Sequence, residues 1–346
     1  MKKFRVGVIG LGMGKGHVRG FKQHPQAEVA AVCDLDKARL ARVADEFSVP
    51  NRYTSADRMI ANEDLDILSV ATPNKFHMPL TVKGFKAGCH VFCEKPMAMN
   101  AGEAKKMLAA AKKAKKRLMI NFSYRFDEQS RALKKEVESG ILGDVYFGRT
   151  VWHRRRGMPG FGGWFGQKSL SGGGPLIDLG VHRLDLALWL MGYPKPAWVM
   201  GSAYNHIAKA CAERVCKKFD VEDLAVGLIK FKNGATLEIE ASWAANIAEK
   251  ELMETRLLGT KGGLVQRNVG EGYDFEAEMY VDHEGALFDV KLHPPVPECH
   301  SAYYCFIETI LGRMKPIATG EEGLIVMELL DAIYESAKTG KPVRIK

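Results

Sequence analysis

Five apolar runs in the first third of the chain, spaced by helix-length stretches, limit what it can fold into. The runs are Arg5–Ile9, Val29–Cys33, Ile67–Ala71, Val91–Cys93 and Leu118–Phe122, with helical patterns near 15–24, 36–47, 78–88 and 100–116. Val, Ile and Leu without polar alternation suit strands buried on both faces, and such strands belong to parallel sheets. A parallel pair needs a crossover long enough for a helix. Alternation at this spacing therefore predicts βαβ units in a doubly wound α/β domain.

After residue 122 the texture changes. Val145–Arg155, Trp198–Tyr204, Asp223–Phe231, Ala235–Ser242, Thr255–Leu258 and Gly263–Arg267 read as strands, several joined by tight turns. Asn233-Gly234 suits the positive φ angles of a type I′ turn and predicts a hairpin. Consecutive strands with few helices between them point to an α+β domain dominated by one mainly antiparallel sheet. A last helix is expected over Glu321–Ala337. A length of 346 residues accommodates both domains, with expected bounds 1–122 and 123–346.

Composition removes other classes. Apolar residues at 46% and charged residues at 26% exclude disordered and fibrous chains. No run approaches the ~20 apolar residues of a membrane span. Met1-Lys2-Lys3 leads straight into a strand rather than a signal peptide, so a cytoplasmic protein is expected. The seven cysteines (33, 89, 93, 211, 216, 299, 305) lack metal-binding or C-x-x-C spacing, as in a reducing compartment. Cys89/Cys93 and Cys211/Cys216 read as scattered thiols, and no metal site is expected.

The net charge of +9 is unevenly spread. Residues 1–121 hold 22 Lys/Arg against 11 Asp/Glu, a balance of +11, and the rest holds 28 against 30, a balance of −2. Much of the excess lies in Lys105-Lys106, Lys112-Lys113 and Lys115-Lys116-Arg117. That run reads as the solvated face of a helix whose other face is Met107, Leu108, Ala111 and Ala114, not as a nucleic-acid patch.

Chemistry concentrates in four places. Gly10-Leu11-Gly12-Met13-Gly14-Lys15-Gly16-His17 follows the first strand and opens the first helix, where backbone N–H groups and the helix dipole favour a pyrophosphate. Gly10, Gly12, Met13 and Gly14 are the expected dinucleotide contacts. Lys15 stands where strict G-x-G-x-x-G has its third glycine, so Gly14 or Gly16 must take the close-packing role. Asp34, 24 residues beyond Gly10, can accept from adenosine ribose hydroxyls and repel a 2′-phosphate, which favours NAD over NADP. A helix cap or turn acid is the plain alternative.

The third and fourth strands end in Thr72-Pro73-Asn74, followed by His77, and in Glu94-Lys95-Pro96. Both fall at the carboxyl edge of a parallel sheet, where ligands bind in this architecture. Lys95 there is a candidate proton-transfer group, because burial and a cationic nicotinamide depress an ammonium pKa. Finally, Gly172-Gly173-Gly174 precedes an apolar helical stretch in which Asp178, His182 and Asp185 fall at i, i+4 and i+7 on one face. Two acids and an imidazole in so apolar a helix need a site or a hydrogen-bond network, and the glycines would let backbone pass close to a ligand.

Gly10-x-Gly12, Ala71-Thr72-Pro73-Asn74-x-x-His77, Glu94-Lys95-Pro96 and Gly172-Gly173-Gly174-x-x-x-Asp178-x-Gly180-x-His182-x-x-Asp185 together resemble the Gfo/Idh/MocA oxidoreductases over effectively the whole chain. The resemblance implies an N-terminal Rossmann domain and a C-terminal α+β domain with a large open-faced sheet. It implies pairing through that sheet in a homodimer or homotetramer. It also implies Lys95, Asp178 and His182 as the catalytic set, with Thr72, Pro73, Asn74, His77 and Glu94 beside the cofactor.

Oxidising a secondary alcohol removes a hydroxyl proton as hydride leaves carbon. His182 as proton acceptor with Lys95 polarising the oxygen fits, and so does the reverse; Asp178 would grip a neighbouring hydroxyl. Tyr124, Arg125, Arg154, Arg156, Trp164 and Asp185 are the substrate candidates, since Arg and aromatics suit sugar faces and hydroxyls. The expected substrate is a sugar, anhydrosugar, inositol or related polyol. An NAD-requiring glycoside hydrolase and a non-catalytic dinucleotide sensor are the rival readings.

Overall fold

A computed structural model describes residues 3–293 and 300–345; Cys299 and the opening Met1-Lys2 lie outside the described residues. The chain divides into two compact units. The first joins the residues up to Phe122 with His300–Met327, and the second runs on from Ser123 and resumes at Glu328.

In the first unit the chain alternates through β1 (Phe4–Ile9), α1 (Gly14–Lys22), β2 (Ala27–Cys33), α2 (Lys37–Glu46), β3 (Asn51–Tyr53), α3 (Ala56–Asn62), β4 (Ile67–Val70), α4 (His77–Lys86), β5 (His90–Cys93), α5 (Ala101–Ala114) and β6 (Leu118–Ile120). The six strands are all parallel, in the order β3-β2-β1-β4-β5-β6. The order reverses between β1 and β4, and the crevice at their carboxyl ends is where this topology binds ligands. Val6, Val8, Ile67, Leu68, Val70, Val91 and Phe92 are fully buried, which is why their strands lack polar alternation. β3, with the polar sequence Asn-Arg-Tyr, lies at the sheet edge and was not expected.

Helix starts follow local chemistry. Asp36 accepts from the N–H groups of Ala38 and Arg39, Ser55 from Arg58, and Asn100 from Glu103. On α5, Ala104, Met107 and Ala111 are buried while Lys105, Lys106, Lys112 and Lys113 face solvent, the solvated face expected.

The second unit contains α6 (Glu128–Glu138), β7 (Val145–Arg154), the short α7 (Lys168–Ser171), a π-helical turn over Leu176–Gly180, α8 (Val181–Leu190), β8 (Pro196–Tyr204) and α9 (Ile207–Arg214). Then come β9 (Leu224–Phe231), β10 (Thr236–Ser242), β11 (Glu251–Gly259), β12 (Gly262–Asn268), β13 (Phe275–His283) and β14 (Ala286–Lys291). After them follow α10 (Ala302–Ile310) in the first unit, α11 (Gly320–Thr339), divided between the units at Met327, and β15 (Val343–Arg344) in the second. The nine strands order as β14-β13-β12-β11-β7-β10-β9-β8-β15, antiparallel except for the pair β7 and β10.

One sheet face meets α8 and the π turn. Trp152, Leu186, Leu190, Trp243, Met253, Leu257 and Leu264 form its core. The opposite face carries cross-strand ion pairs, among them Arg267–Glu276 and Lys291–Glu276, together with exposed Tyr146, Met200, Leu228 and Tyr280. The β9–β10 hairpin forms, but not through a type I′ turn. Gly234 alone has positive φ (91°), and its N–H donates to Phe231 O at 3.1 Å while Phe231 N–H donates to Ala235 O at 2.9 Å. This is a three-residue loop, a type I turn closed by a left-handed glycine.

The returning segment completes the first unit. Tyr303 packs on Phe21 and Phe92, Phe306 packs on Phe92, and Ile120 N–H donates to Ala318 O beside β6. Among the described residues, no helix is long and apolar enough to cross a membrane.

Candidate active site

In the first unit the glycine loop is shaped by close contacts. Gly10 has φ +86°, and a Cβ there would lie 2.5 Å from Ala71 O, so only glycine can make this turn. A Cβ on Gly12 would point into open space, leaving its backbone approachable. A Cβ on Gly14 would meet Val8 Cγ1 at 3.0 Å and Ala71 Cβ at 3.4 Å, whereas one on Gly16 would touch nothing within 4 Å. Gly14 therefore takes the close-packing role that strict G-x-G-x-x-G gives to its third glycine. Met13 stands exposed at the loop.

Asp34 closes β2 with its carboxylate fixed from two sides. Leu11 N–H donates to Oδ2 at 2.7 Å and Asp36 N–H to Oδ1 at 2.8 Å. Asp36, not Asp34, caps α2. Arg39 Nη1 lies 3.3 Å from Asp34 Oδ2. The carboxylate keeps acceptor capacity, since each oxygen can take more than one donor.

At the carboxyl edge, β4 ends in Thr72-Pro73-Asn74 and β5 in Glu94-Lys95-Pro96, with a cis bond before Pro96. Thr72 Oγ1 is buried with no hydrogen-bond partner among the described residues. Lys95 is half-buried. His77, expected to touch cofactor, is 1% exposed, with Nδ1 2.7 Å from Pro96 O and Nε2 2.7 Å from Thr72 O. Its ring ties the two loop ends together, so it acts through them. Burial lowers its pKa, against the pull of the two carbonyls; the neutral ring then donates to only one of them.

The set fits a dinucleotide. A glycine-led helix start offers N–H groups, a fixed acid stands at the end of the second strand, and an orphaned hydroxyl lies at the end of β4.

In the second unit, two of the three glycines serve packing, and Gly172 (φ +88°) ends α7 in the left-handed conformation. A Cβ on Gly173 would fall 2.1 Å from Tyr334 Oη, and one on Gly174 2.1 Å from Glu222 O. The approach expected for a ligand is used by the protein itself: the buried Glu222 accepts from Gly174 N–H at 2.9 Å, Leu176 N–H at 3.2 Å and Tyr334 Oη at 2.8 Å. Burial raises the Glu222 pKa although all three hydrogen bonds oppose it.

From Gly173 to Leu188 every residue is buried except Asp178 and His182. Asp178 sits in the π turn and accepts from Trp243 Nε1 at 3.1 Å. His182 opens α8 between Tyr124, edge-on at 5.2 Å, and Trp152 at 5.7 Å. π turns of this kind recur at functional sites. Asp185 does not join them. It takes Arg125 Nε on Oδ2 at 2.8 Å and Nη2 on Oδ1 at 2.6 Å, with Tyr193 Oη donating at 3.0 Å. At 0% and 1% side-chain exposure, Arg125 and Asp185, both expected at the substrate, form a buried ion pair.

The remaining substrate candidates have other partners. Arg154 donates to Glu251 at 2.7 Å and Tyr273 at 2.7 Å, stacks on Trp152, and feels the negative charge of Asp178. Trp164 stacks on Phe165 at 3.8 Å, and Phe165 abuts Trp243. Arg156 is held by Asn246 at 2.8 Å. Tyr124 is buried against His182 and the fully buried Arg183, whose own pKa burial lowers to about 10. Trp243, Trp152 and Glu222 went unread in the sequence, because only tertiary pairing gives them a role. Among the described residues no three His, Cys, Asp or Glu side chains cluster to hold a metal.

A doubly wound sheet with a glycine-led first helix and an acid ending β2 defines a dinucleotide-dependent enzyme, with an acid–imidazole pair in its second unit. Residues 4–122 match the family model described as "Oxidoreductase family, NAD-binding Rossmann fold", and residues 130–265 match the GFO/IDH/MocA C-terminal domain. A D-glucoside 3-dehydrogenase of Escherichia coli is 33% identical over 99% of this chain and 97% of its own length. The aldose–aldose oxidoreductase of Caulobacter crescentus, solved with glycerol, is 28% identical with a TM-score of 0.83, covering 99% of this chain and 100% of its own. The WlbA dehydrogenase of Bordetella pertussis, solved with NADH and UDP-GlcNAcA, is 25% identical with a TM-score of 0.82, covering 100% and 99%. The chain belongs to the Gfo/Idh/MocA oxidoreductases, and its first unit is their NAD-binding Rossmann fold.

Proposed function

We propose that the protein transfers hydride between NAD and a secondary hydroxyl, or the matching ketone, of a sugar, anhydrosugar, inositol or related polyol. The observation that carries this reading is the pair Asp178 and His182, alone left accessible along an otherwise buried stretch. The names of the glucoside dehydrogenase and the aldose–aldose oxidoreductase support the substrate class. NAD rather than NADP is favoured by the fixed carboxylate of Asp34. Gly10, Gly12, Met13 and Gly14 would hold the pyrophosphate, and Thr72, Pro73 and Asn74 would lie along the cofactor.

Bound NAD supplies the hydride acceptor at its nicotinamide ring. Lys95, Asp178 and His182 form the catalytic set. His182 Nε2 accepts the hydroxyl proton, Lys95 Nζ donates to the same oxygen, and Asp178, held by Trp243, accepts from a neighbouring hydroxyl. Tyr124 and Trp152 orient the imidazole; Arg154, Arg156 and Trp164 contact the rest of the substrate. The exposed side chains Met200, Leu228 and Tyr280 support pairing of two copies through the nine-stranded sheet, in a homodimer or homotetramer. The free cysteines support a reducing, cytoplasmic setting.

The test follows NADH absorbance against a panel of polyols and glycosides, for the native chain and for Lys95→Ala and His182→Ala. NADH formed in step with substrate, and lost in both variants, supports the reading. Aglycone release without NADH would move the protein to a hydrolase, and binding without turnover to a sensor.

A further inference from the structure

His17 lies at the end of the glycine loop, yet its side chain turns inward and is 1% exposed. Nδ1 is 2.7 Å from Ser69 Oγ, and Nε2 is 2.8 Å from Glu94 Oε1. A carboxylate only accepts, so Nε2 carries the proton in that contact. Glu94 Oε1 also receives Asn121 Nδ2 at 2.6 Å, and Oε2 receives the Lys95 backbone N–H at 3.1 Å. The ring is enclosed by Phe92 at 5.4 Å and Tyr303 at 5.1 Å. Gly20 on the same helix leaves the space that Tyr303 fills, since a Cβ there would lie 2.1 Å from its ring.

A carboxylate this buried survives ionised only where donors surround it. Burial pushes its pKa up, but the His17 hydrogen bond and charge, Asn121 and Lys95 outweigh that and hold it below the usual carboxylate range. The acid therefore stands as a fixed negative charge directly behind Lys95. Ser69 is a lone hydroxyl in the apolar strand β4, and the contact to His17 accounts for it.

We propose that His17 is a positioning residue of the hydride-transfer reaction. It clamps the Glu94 carboxylate, which in turn fixes the backbone at Lys95 and the direction in which that ammonium leaves the end of β5. The proposal rests on the reading of Lys95 as catalytic.

Two isosteric replacements of full-length protein separate the two ring contacts. Gln can place an amide donor where Nε2 stands and keep the bond to Glu94. Asn can place its amide where Nδ1 stands, keeping Ser69 and releasing Glu94. With saturating NAD and a turned-over polyol, His17→Asn is expected to lower kcat about tenfold or more with the KM for NAD held within about twofold, and His17→Gln to restore kcat to within about threefold. Equal losses in both variants, or an altered melting temperature with kcat unchanged, overturn the proposal. If His17→Asn does not fold, Glu94→Gln keeps the shape of the side chain without its charge. The same fall in kcat is expected there, and an unchanged kcat overturns the proposal. Lys95→Ala separates the two layers: turnover retained there removes the reading of Lys95, whereas turnover lost there but kept in His17→Asn removes only the role of His17.

Discussion

The indole Nε1–H of Trp243 donates to Asp178 Oδ2 at 3.1 Å, so a fully buried aromatic just past the end of β10 fixes the one acid left accessible in the π turn. Trp243→Phe keeps the ring and removes the donor. A hydrogen bond to a charged group is worth about 1.5 kcal/mol or more, so kcat/KM for the polyol should fall roughly tenfold while the KM for NAD stays put. Steady-state kinetics in both substrates measure this. A fall in melting temperature with kinetics intact would show that the bond serves only packing.

The proposed preference for NAD puts cofactor choice on Asp34, with Arg39 beside it. Replacing the acid in Asp34→Ser removes an acceptor for ribose hydroxyls and leaves Arg39, 3.3 Å from the lost carboxylate, able to meet a 2′-phosphate. The ratio of kcat/KM for NAD over NADP is expected to drop by about tenfold or more. A ratio unchanged by the substitution would take Asp34 out of adenosine recognition.

Asp127 gives a pH signature of stability. Burial pushes its carboxyl from 3.8 up to about 6, with the Arg183 charge pulling the other way. Between those values the folded chain binds a proton that the unfolded chain has lost, so folding is favoured on the acid side. That contribution disappears as pH rises from about 4 to about 6. At ~1.36 kcal/mol per pH unit it amounts to about 3 kcal/mol at most. Asp127→Asn should therefore resist urea better than the native chain at pH 7, with the advantage gone near pH 4. An advantage that is absent, or equal at both pH values, contradicts the assignment.

The legible portions of the fold were those whose residues face one environment. β1, β2, β4 and β5 are buried along most of their length and show as apolar runs without polar alternation, whereas β3 at the edge carries Asn51-Arg52-Tyr53 and leaves no such trace. β13 and β14 escaped for a related reason. They lie at the rim of the nine-stranded sheet, and every residue of β14 is exposed. The hairpin at Asn233-Gly234 was legible as a turn but not as a turn type, since one glycine with positive φ serves both loop lengths. Within the site, spacing put Asp178, His182 and Asp185 on one helix. The π turn and the reach of Arg125 separated the third from the first two, and neither is written in a local pattern. Gly173 and Gly174 read as ligand-facing, although their missing side chains make room for Tyr334 and Glu222, which lie far away in sequence.

The seat of Tyr303 and Phe306 against Phe21 and Phe92 bears on how the chain is made. A ribosome that has released residue 122 has delivered all six parallel strands but none of the aromatic rings that cover them or the stretch that runs beside β6. The nucleotide-binding half stays unfinished until nearly the whole message has been translated. A fragment ending at Phe122, a natural choice for expressing that half alone, would leave the ring faces of Phe21 and Phe92 open to water and to one another's copies.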